Sequence, residues 1–270
     1  MLREIKTMDD NLNHKILQLR EIMKAYTSLD EDYISDQNAG IIQPPLEKPA
    51  YGIETIDLTT EFEHVIKNND FLKILTARKS RRKYEDAKLT LDELSFLLWS
   101  TQGVKKVIGR ERKATIRTVP SAGARHPFET YLFIKNVEGL KPGLYHYLAI
   151  EHKLEFLKAF ENMEEKLSKA FLGQDFFGNA PISILWTVTP YRSEWRYTTK
   201  AQKYSLIDVG HVCQNLYLAC EAIGCGTCAI GAYEQELADE LLELDTTPSF
   251  SKENEFVVYA ASVGKVAQDD

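Results

Sequence analysis

The chain is poor in several things that would place it in a familiar class. Its 270 residues contain no apolar run of the roughly 18 to 20 residues that a membrane-spanning helix requires. Cations are in the minority, 33 Lys and Arg against 40 Asp and Glu, and a net charge of -7 argues against nucleic acid as a general partner. The first ten residues hold neither an apolar core nor a small-residue cleavage site, so a secretory signal is not expected. There is no internal repeat and no low-complexity tract. Cysteine is scarce, with four residues at Cys213, Cys220, Cys225 and Cys228. Cys225-Gly-Thr-Cys228 has the spacing of half a zinc ribbon or of a redox pair, but no second close pair accompanies it. Cys213 and Cys220 fall on one stripe of a helix, where thiols serve as small apolar side chains. Structural cysteines in a reducing, cytoplasmic compartment are the expectation, with no metal; a metal or redox site is the alternative.

What remains is ordinary for a folded domain, 44% apolar and 27% charged. Residues 1–50 read as an arm. Leu12, Ile16, Leu19, Ile22 and Met23 recur at helical spacing, and Pro44, Pro45 and Pro49 then enforce an extended connector. The arm is too short to bury a core and is expected to wrap the body or a second subunit. Residues 51–270 form the body. Its first helix is expected to run from Phe62 to Leu75. Thr90-Leu-Asp-Glu93 is a capping box for the helix that carries Leu94, Leu97, Leu98 and Thr101, with Gly103 as a left-handed close. Residues 105–118 are rich in Lys and Arg and read as an exposed, mobile loop. Strands are expected at 129–134, 143–150, 182–189, 226–230 and 255–263, and a long helix at 206–223 with apolar residues on most of its faces. The alternation of strands and helices predicts an α+β domain.

The most informative stretch is Arg78-Lys79-Ser80-Arg81-Arg82-Lys83-Tyr84, five cations and a hydroxyl in an acidic chain. Such a knot calls for a local anion, and a phosphate is the natural one because guanidinium forks match its oxygens in pairs. A solvated charged turn would have the same composition. Two further segments favour the phosphate: Pro120-Ser121-Ala122-Gly123-Ala124-Arg125-His126-Pro127 and Gly226-Thr-Cys-Ala-Ile230-Gly231-Ala232-Tyr233. Both are rich in small residues that let backbone approach a flat ring.

These three motifs, in this order, resemble the flavin-dependent nitroreductase superfamily and, within it, the SagB-type dehydrogenases. The resemblance covers roughly residues 71–264. It implies a nitroreductase-like fold, a central and mostly antiparallel sheet flanked by helices, assembled as a homodimer with FMN at the subunit interface. Arg78, Ser80 and Arg82 would hold the FMN phosphate, with Tyr84 in the aromatic slot and Lys79 adding to the field; Arg81, out of the alternation, is expected to face solvent. Pro120, Ser121, Ala122 and Gly123 would lie beside the isoalloxazine, and Ile230, Gly231 and Ala232 would lay backbone over it. Family members often carry an acidic residue where Gly231 stands. Lys265 is the cation available for the basic ligands that many members bring back after the Val263-Gly264 position. No dinucleotide glycine fingerprint is present, but the superfamily admits NAD(P)H transiently over the flavin and needs none.

The resemblance also singles out Lys203-Tyr204. In the SagB-type enzymes a Lys-Tyr pair at this position is associated with oxidation of thiazoline and oxazoline rings in peptides, a reaction that removes a carbon-bound proton and delivers a hydride to flavin N5. A lysine or phenolate beside the ring could act as the base. Equally, Lys203 could cap a turn and Tyr204 pack in the core, and His211 could be a helper or a structural donor. The segment Tyr191-Arg192-Ser-Glu-Trp195-Arg196-Tyr197 reads as a loop that gates the flavin face, binds an acidic or peptide substrate, or forms an interface. Three functions therefore compete: a peptide azoline dehydrogenase, an NAD(P)H-dependent nitro or quinone reductase, and a non-catalytic flavin-fold subunit of a modification complex. The basic knot argues against the last, and Lys203-Tyr204 favours the first.

Overall fold

Most of the chain is built on one sheet whose strands alternate apolar residues toward two different helical layers. The structure, a computed structural model, describes residues 10–24, 34–52, 54–245 and 250–267. In chain order the elements are α1 (Asp10–Glu21), β1 (Thr55–Asp57), α2 (Phe71–Ala77), α3 (Leu91–Gln102), β2 (Val104–Ile108), β3 (Ala114–Arg117), β4 (Phe128–Ile134), β5 (Gly143–Leu148), β6 (Lys153–Lys158), α4 (Met163–Ala170), α5 (Asp175–Gly178), β7 (Ile182–Val188), α6 (Tyr191–Tyr197), α7 (Ala201–Ile223), β8 (Cys225–Ile230), α8 (Gln235–Leu241) and β9 (Phe256–Lys265). Seven strands form a sheet in the order β1-β6-β5-β4-β7-β9-β8 with every neighbouring pair antiparallel. This is the α+β architecture expected from the sequence.

The period-two geometry of a strand explains the layering. Along β4, Phe128, Leu132 and Ile134 join the core beneath α3 and α7, while Tyr131 and Phe133 join the core beneath α4, α5 and α8. Every residue of β4, β5 and β7 is buried, as expected for central strands covered on both faces. Helix α7 supplies Val209, Val212, Cys213, Leu216, Ala219, Cys220 and Ile223 to the first core.

The capping box is formed as read: Thr90 Oγ1 accepts from Glu93 N at 3.1 Å and Glu93 Oε2 accepts from Thr90 N at 2.9 Å. Other expectations need correction. Gly103 closes α3 with φ -55°, not left-handed; it is needed because a Cβ would lie 2.5 Å from Trp99 Cδ1. The segment expected as one helix from Phe62 is a single turn at Glu63–Val65 followed by α2. The basic loop at 105–118 is a hairpin, β2 paired antiparallel with β3, and buries Thr115 and Arg117. Strand β6 escaped the sequence reading because Lys153, Glu155 and Lys158 dilute its apolar pattern, yet Glu155 is fully buried facing His146. The segment 191–197 is helical, held to the preceding turn by Glu194 N to Pro190 O at 2.9 Å.

The described part of the arm runs across the body. Gln37 N donates to Trp195 O at 2.8 Å, the Trp195 indole donates to Ile41 O at 2.9 Å, and Lys48 N donates to Glu129 Oε1 at 2.6 Å. Leu12, Leu17 and Leu19 of α1, and Ile22 and Met23 just after it, are exposed.

Candidate active site

The basic knot begins where α2 ends. Asp70 caps that helix by accepting from Leu72 N and Lys73 N, and at Arg78 the backbone turns extended, φ -53° and ψ 118°. The chain then runs alongside β8: Ser80 bridges Thr227 in parallel, and Arg81 N donates to Thr227 O at 2.9 Å. Extended chain sends alternate side chains to opposite sides. Arg78, Ser80 and Arg82 therefore share one side, as the motif requires. The Arg78 guanidinium lies over the Tyr217 ring at 5.4 Å, Ser80 Oγ is 2.9 Å from the Tyr217 hydroxyl, and Arg82 lies over Phe176 at 5.7 Å. Tyr217 in turn accepts the Ala229 N–H at 2.9 Å, tying the knot to β8.

The other side is structural. Arg81 is partly buried rather than solvent-facing, because its stem packs on Gly226, where a Cβ would lie 2.6 Å from Arg81 Cγ. Glu221 of α7 accepts the Lys79 N–H and lies among Arg81, Lys79 and Arg78; burial pushes its carboxyl up, and those groups pull it back. Part of the anion that the knot calls for is thus supplied by the chain itself. Tyr84 packs: its hydroxyl donates to Arg81 O at 2.8 Å and its ring covers Gly264, where a Cβ would come within 2.6 Å. Lys265 is not directed at the knot but paired with Glu93, both largely buried.

After the knot, β8 carries the small-residue platform. Gly231 and Ala232 are exposed, and a Cβ on Gly231 would meet only Tyr259, at 3.9 Å. The Gln174 amide donates to Ala232 O at 3.0 Å and fixes its outer end. Cys225 and Cys228, three apart on a strand, point to opposite faces and are free and buried, so they do not form a pair. Burial pushes the Cys225 thiol up to about 12.

The Pro120-Gly123 segment is held by one carboxylate. Ser121 Oγ donates to Asp208 Oδ2 at 2.6 Å and Ala122 N donates to the same oxygen at 3.0 Å. Ser121 Oγ also accepts the His126 N–H at 2.9 Å. Gly123 adopts φ +55°, and a Cβ there would collide with the Tyr197 hydroxyl. Ala124 and His126 also have positive φ, an uncommon concentration for residues with side chains. His126 is buried; burial and the nearby Arg117 charge push its imidazole down to about 3. Burial likewise lowers Arg125 to about 10, with Arg196 adding to the effect; its guanidinium stacks on Trp195 at 5.0 Å.

Lys203 and Tyr204 lie in the first turn of α7, which starts at Ala201 rather than at Leu206. Both are half-buried. The Tyr204 ring meets Tyr197 edge-on at 4.9 Å, so the pair, the end of α6 and the Pro120-Gly123 segment form one wall. Lys203 makes no hydrogen bond or ion pair among the described residues. His211 and Gly210 are exposed beside Leu206 and Ile207.

The sequence-predicted residues thus fall into two groups. Arg78, Ser80 and Arg82 reach α7 at Tyr217, next to the strand that leads to Ile230, Gly231 and Ala232. Pro120, Ser121, Ala122, Gly123, Lys203 and Tyr204 gather around Asp208 and the start of α7. Along the helix axis Asp208 and Tyr217 are about 14 Å apart. The structure brings together the members of each group, at two levels of one helix.

The nitroreductase family model matches residues 75–265, most of the body and all three motifs. The chain belongs to the nitroreductase family. Among its relatives is a protein of Methanocaldococcus jannaschii named "Putative nitroreductase", 34% identical over 175 residues, covering 65% of this chain and 85% of the relative. Its fold is shared by a chain of the E. coli microcin synthetase McbBCD complex with truncated pro-MccB17 bound (TM-score 0.53, 16% identity, covering 96% of this chain and 95% of that one). The fold is also that of the NADPH:FMN oxidoreductase of Vibrio harveyi complexed with NAD+ (TM-score 0.51, 16% identity, covering 74% and 70%). As a nitroreductase family member the protein is an oxidoreductase.

Four residues of the site had no signal of their own in the sequence. Tyr217 lies among apolar neighbours of α7, Glu221 is in the last turn of that helix, Asp208 is a buried acid in its second turn, and Phe176 belongs to a four-residue helix. A usable clue existed only for Asp208, a buried-face position occupied by a charge, which requires a partner.

Proposed function

We propose that the protein is an FMN-dependent oxidoreductase whose site is assembled from two copies of the chain and whose substrate is a thiazoline or oxazoline ring in a modified peptide. The observation that carries this reading is the convergence of Arg78, Ser80 and Arg82 on one side of an extended segment beside β8. Two guanidinium groups and a hydroxyl suit a phosphate monoester, each charge-assisted bond contributing roughly 1.5 to 3 kcal/mol. The exposed Gly231-Ala232 backbone next to them leaves room for a flat ring, and Gly231 presents an amide where relatives often present a carboxylate. FMN, when bound, supplies a two-electron acceptor at N5.

The chain's own residues have separate tasks. Arg78, Ser80 and Arg82 anchor the phosphate, with Lys79 strengthening the field. Pro120, Ser121, Ala122 and Gly123, locked by Asp208, form a ring-facing wall. Lys203 and Tyr204 stand on that wall and are assigned the proton that leaves the azoline carbon. Because the two groups occupy different levels of α7, two-fold pairing of chains gives each knot a wall from its partner. The exposed stripe Leu206, Ile207, Gly210, His211 and Gln214, at helical spacing, is the surface proposed for that contact.

A second reading, an NAD(P)H-dependent nitro or quinone reductase, uses the same knot and platform without the Lys-Tyr pair; the Vibrio harveyi neighbour favours it. Purified protein should be yellow, with about one FMN per chain and not FAD, and light scattering should give a dimer at micromolar concentration. Released cofactor that is chiefly FAD, or a flavin-loaded monomer, contradicts the proposal. Azoline oxidation by the holoenzyme, set against nitro reduction, separates the two substrates.

A further inference from the structure

We infer that the β2–β3 hairpin and the adjoining arm form a docking surface for an extended, anionic peptide segment, separate from the flavin site. Three observations converge on it. The first is charge. Lys105, Lys106, Arg110, Arg112 and Lys113 are all exposed, Glu111 is the one acid among them, and none of the five cations has a carboxylate partner among the described residues. In a chain of net charge -7 this concentration is a local field of the opposite sign.

The second is an open strand edge. The hairpin is a two-stranded sheet of its own, and among the described residues β2 pairs only with β3. Thr115 and Arg117 are buried, so alternation turns Ile116 and its cross-strand neighbour Lys106 outward, with Ile108 on the same face. An extended peptide added along β2 would gain main-chain bonds while its acidic side chains met the lysines.

The third is a groove of about 460 Å³ between the hairpin tip and the arm, with Ile41, Ile42, Pro44 and Pro45 on one side and Glu111, Arg112 and Lys113, net cationic, on the other. Ile42 is 89% exposed. The groove is built as a unit: Gln43 Nε2 donates to Lys113 O at 2.8 Å, Gln43 Oε1 accepts from Lys113 N at 3.0 Å, and Arg112 donates to Gln37 O at 3.1 Å. An apolar floor with a cationic rim fits an acidic peptide carrying alternate apolar residues. Strand β3 leads straight into Thr118, Val119 and the wall at Pro120, so the proposed surface and the wall are joined by two residues of chain. In substrate class the inference rests on the peptide reading above; as a binding surface it is tested without turnover.

The probe is a fluorescein-labelled peptide of alternating glutamate and valine, added to the flavin-loaded protein and followed by anisotropy. Binding is expected, stronger by about tenfold or more than for the lysine–valine counterpart and weakening with salt. The triple variant Lys106→Ala, Arg110→Ala, Lys113→Ala changes only exposed side chains without side-chain partners among the described residues. It should weaken binding by about tenfold or more while flavin content and nitro reduction stay at the wild-type level. Ile42→Asp should weaken binding as well. Unchanged binding by the variants, or displacement of the peptide by a single-stranded oligonucleotide at lower concentration, overturns the inference. Variant-sensitive binding in a protein that oxidises no azoline supports the surface and removes only the substrate reading.

Discussion

Asp208 holds Ser121 and the next amide with one carboxylate, 2.6 Å from the hydroxyl and 3.0 Å from Ala122 N. A buried acid in the second turn of a long helix thereby fixes the conformation of a loop that contains three positive-φ residues in four. Replacing Asp208 by Ala removes the acceptor for both donors. The expected cost is about 2 to 3 kcal/mol in urea unfolding, from hydrogen bonds to a charged group whose loss leaves two partly buried donors behind. Asp208→Asn keeps one acceptor oxygen and should recover part of the loss. An Ala variant as stable as the parent would show that the loop holds its own shape.

Arg78→Ala should release FMN with the fold intact. Arg78 is half-buried against Tyr217, and losing one charge-assisted contact weakens cofactor binding by about ten- to a hundredfold. Fluorescence titration of the apoprotein with FMN measures it. Equal affinity in variant and parent would place the phosphate elsewhere.

If Lys203 and Tyr204 handle the proton, Lys203→Ala and Tyr204→Phe should leave FMN content unchanged and reduce azoline oxidation by roughly a hundredfold or more. Nitro reduction by NAD(P)H removes no carbon-bound proton and should change far less. Both variants oxidising an azoline peptide at the parent rate would make the pair structural, with Tyr204 serving only as the ring against Tyr197.

His126 gives a pH dependence. Its imidazole is pushed down from 6.5 to about 3 in the folded state, by burial first and by Arg117 second. The unfolded chain therefore binds a proton that the folded chain refuses over that interval. The stabilisation is fully present above pH 6.5 and is lost as the pH falls toward 3, at up to about 1.4 kcal/mol per pH unit. Denaturant midpoints from pH 7 to pH 4 should fall with this slope added, and His126→Gln should flatten it. Parallel curves for variant and parent would show that His126 is not the titrating group.

The side shared by Arg78, Ser80 and Arg82, to which a phosphate is assigned by proposal, could be read because it depends on a local rule. Arg78, Ser80 and Arg82 alternate, and extended chain puts alternate residues on one side. The capping box of α3 was legible for the same reason, being complete within four residues. What the sequence did not reveal depends on partners far along the chain. Arg81 is buried because Gly226, on a distant strand, leaves space for its stem. The cationic 105–118 segment looked like a loop because its charge hid the pairing of Val107 with Thr115 and Ile108 with Ala114. Gly103 was assigned the commonest reason for a glycine at a helix end, whereas the operative one is the Trp99 ring beside it. Tyr217 joins knot and strand through a hydroxyl that periodicity treats as one more core position.

The arm is docked by its side chains at Asp36, Gln43, Glu47 and Lys48, which bond Tyr191, Lys113, Ile150 and Glu255, and also by main-chain groups. Trp195 binds the Gln37 amide and the Ile41 carbonyl, Arg112 takes the Gln37 carbonyl, and Glu129 takes the Lys48 amide. Any residue other than proline could supply those amides, and any residue at all the carbonyls. At those positions the path of the arm is independent of side-chain identity, and Ile42, exposed between Ile41 and Gln43, takes no part in the seating. Substitutions at Ile42 therefore change the chemistry that the arm presents to its surroundings while leaving the arm seated, at almost no cost in stability.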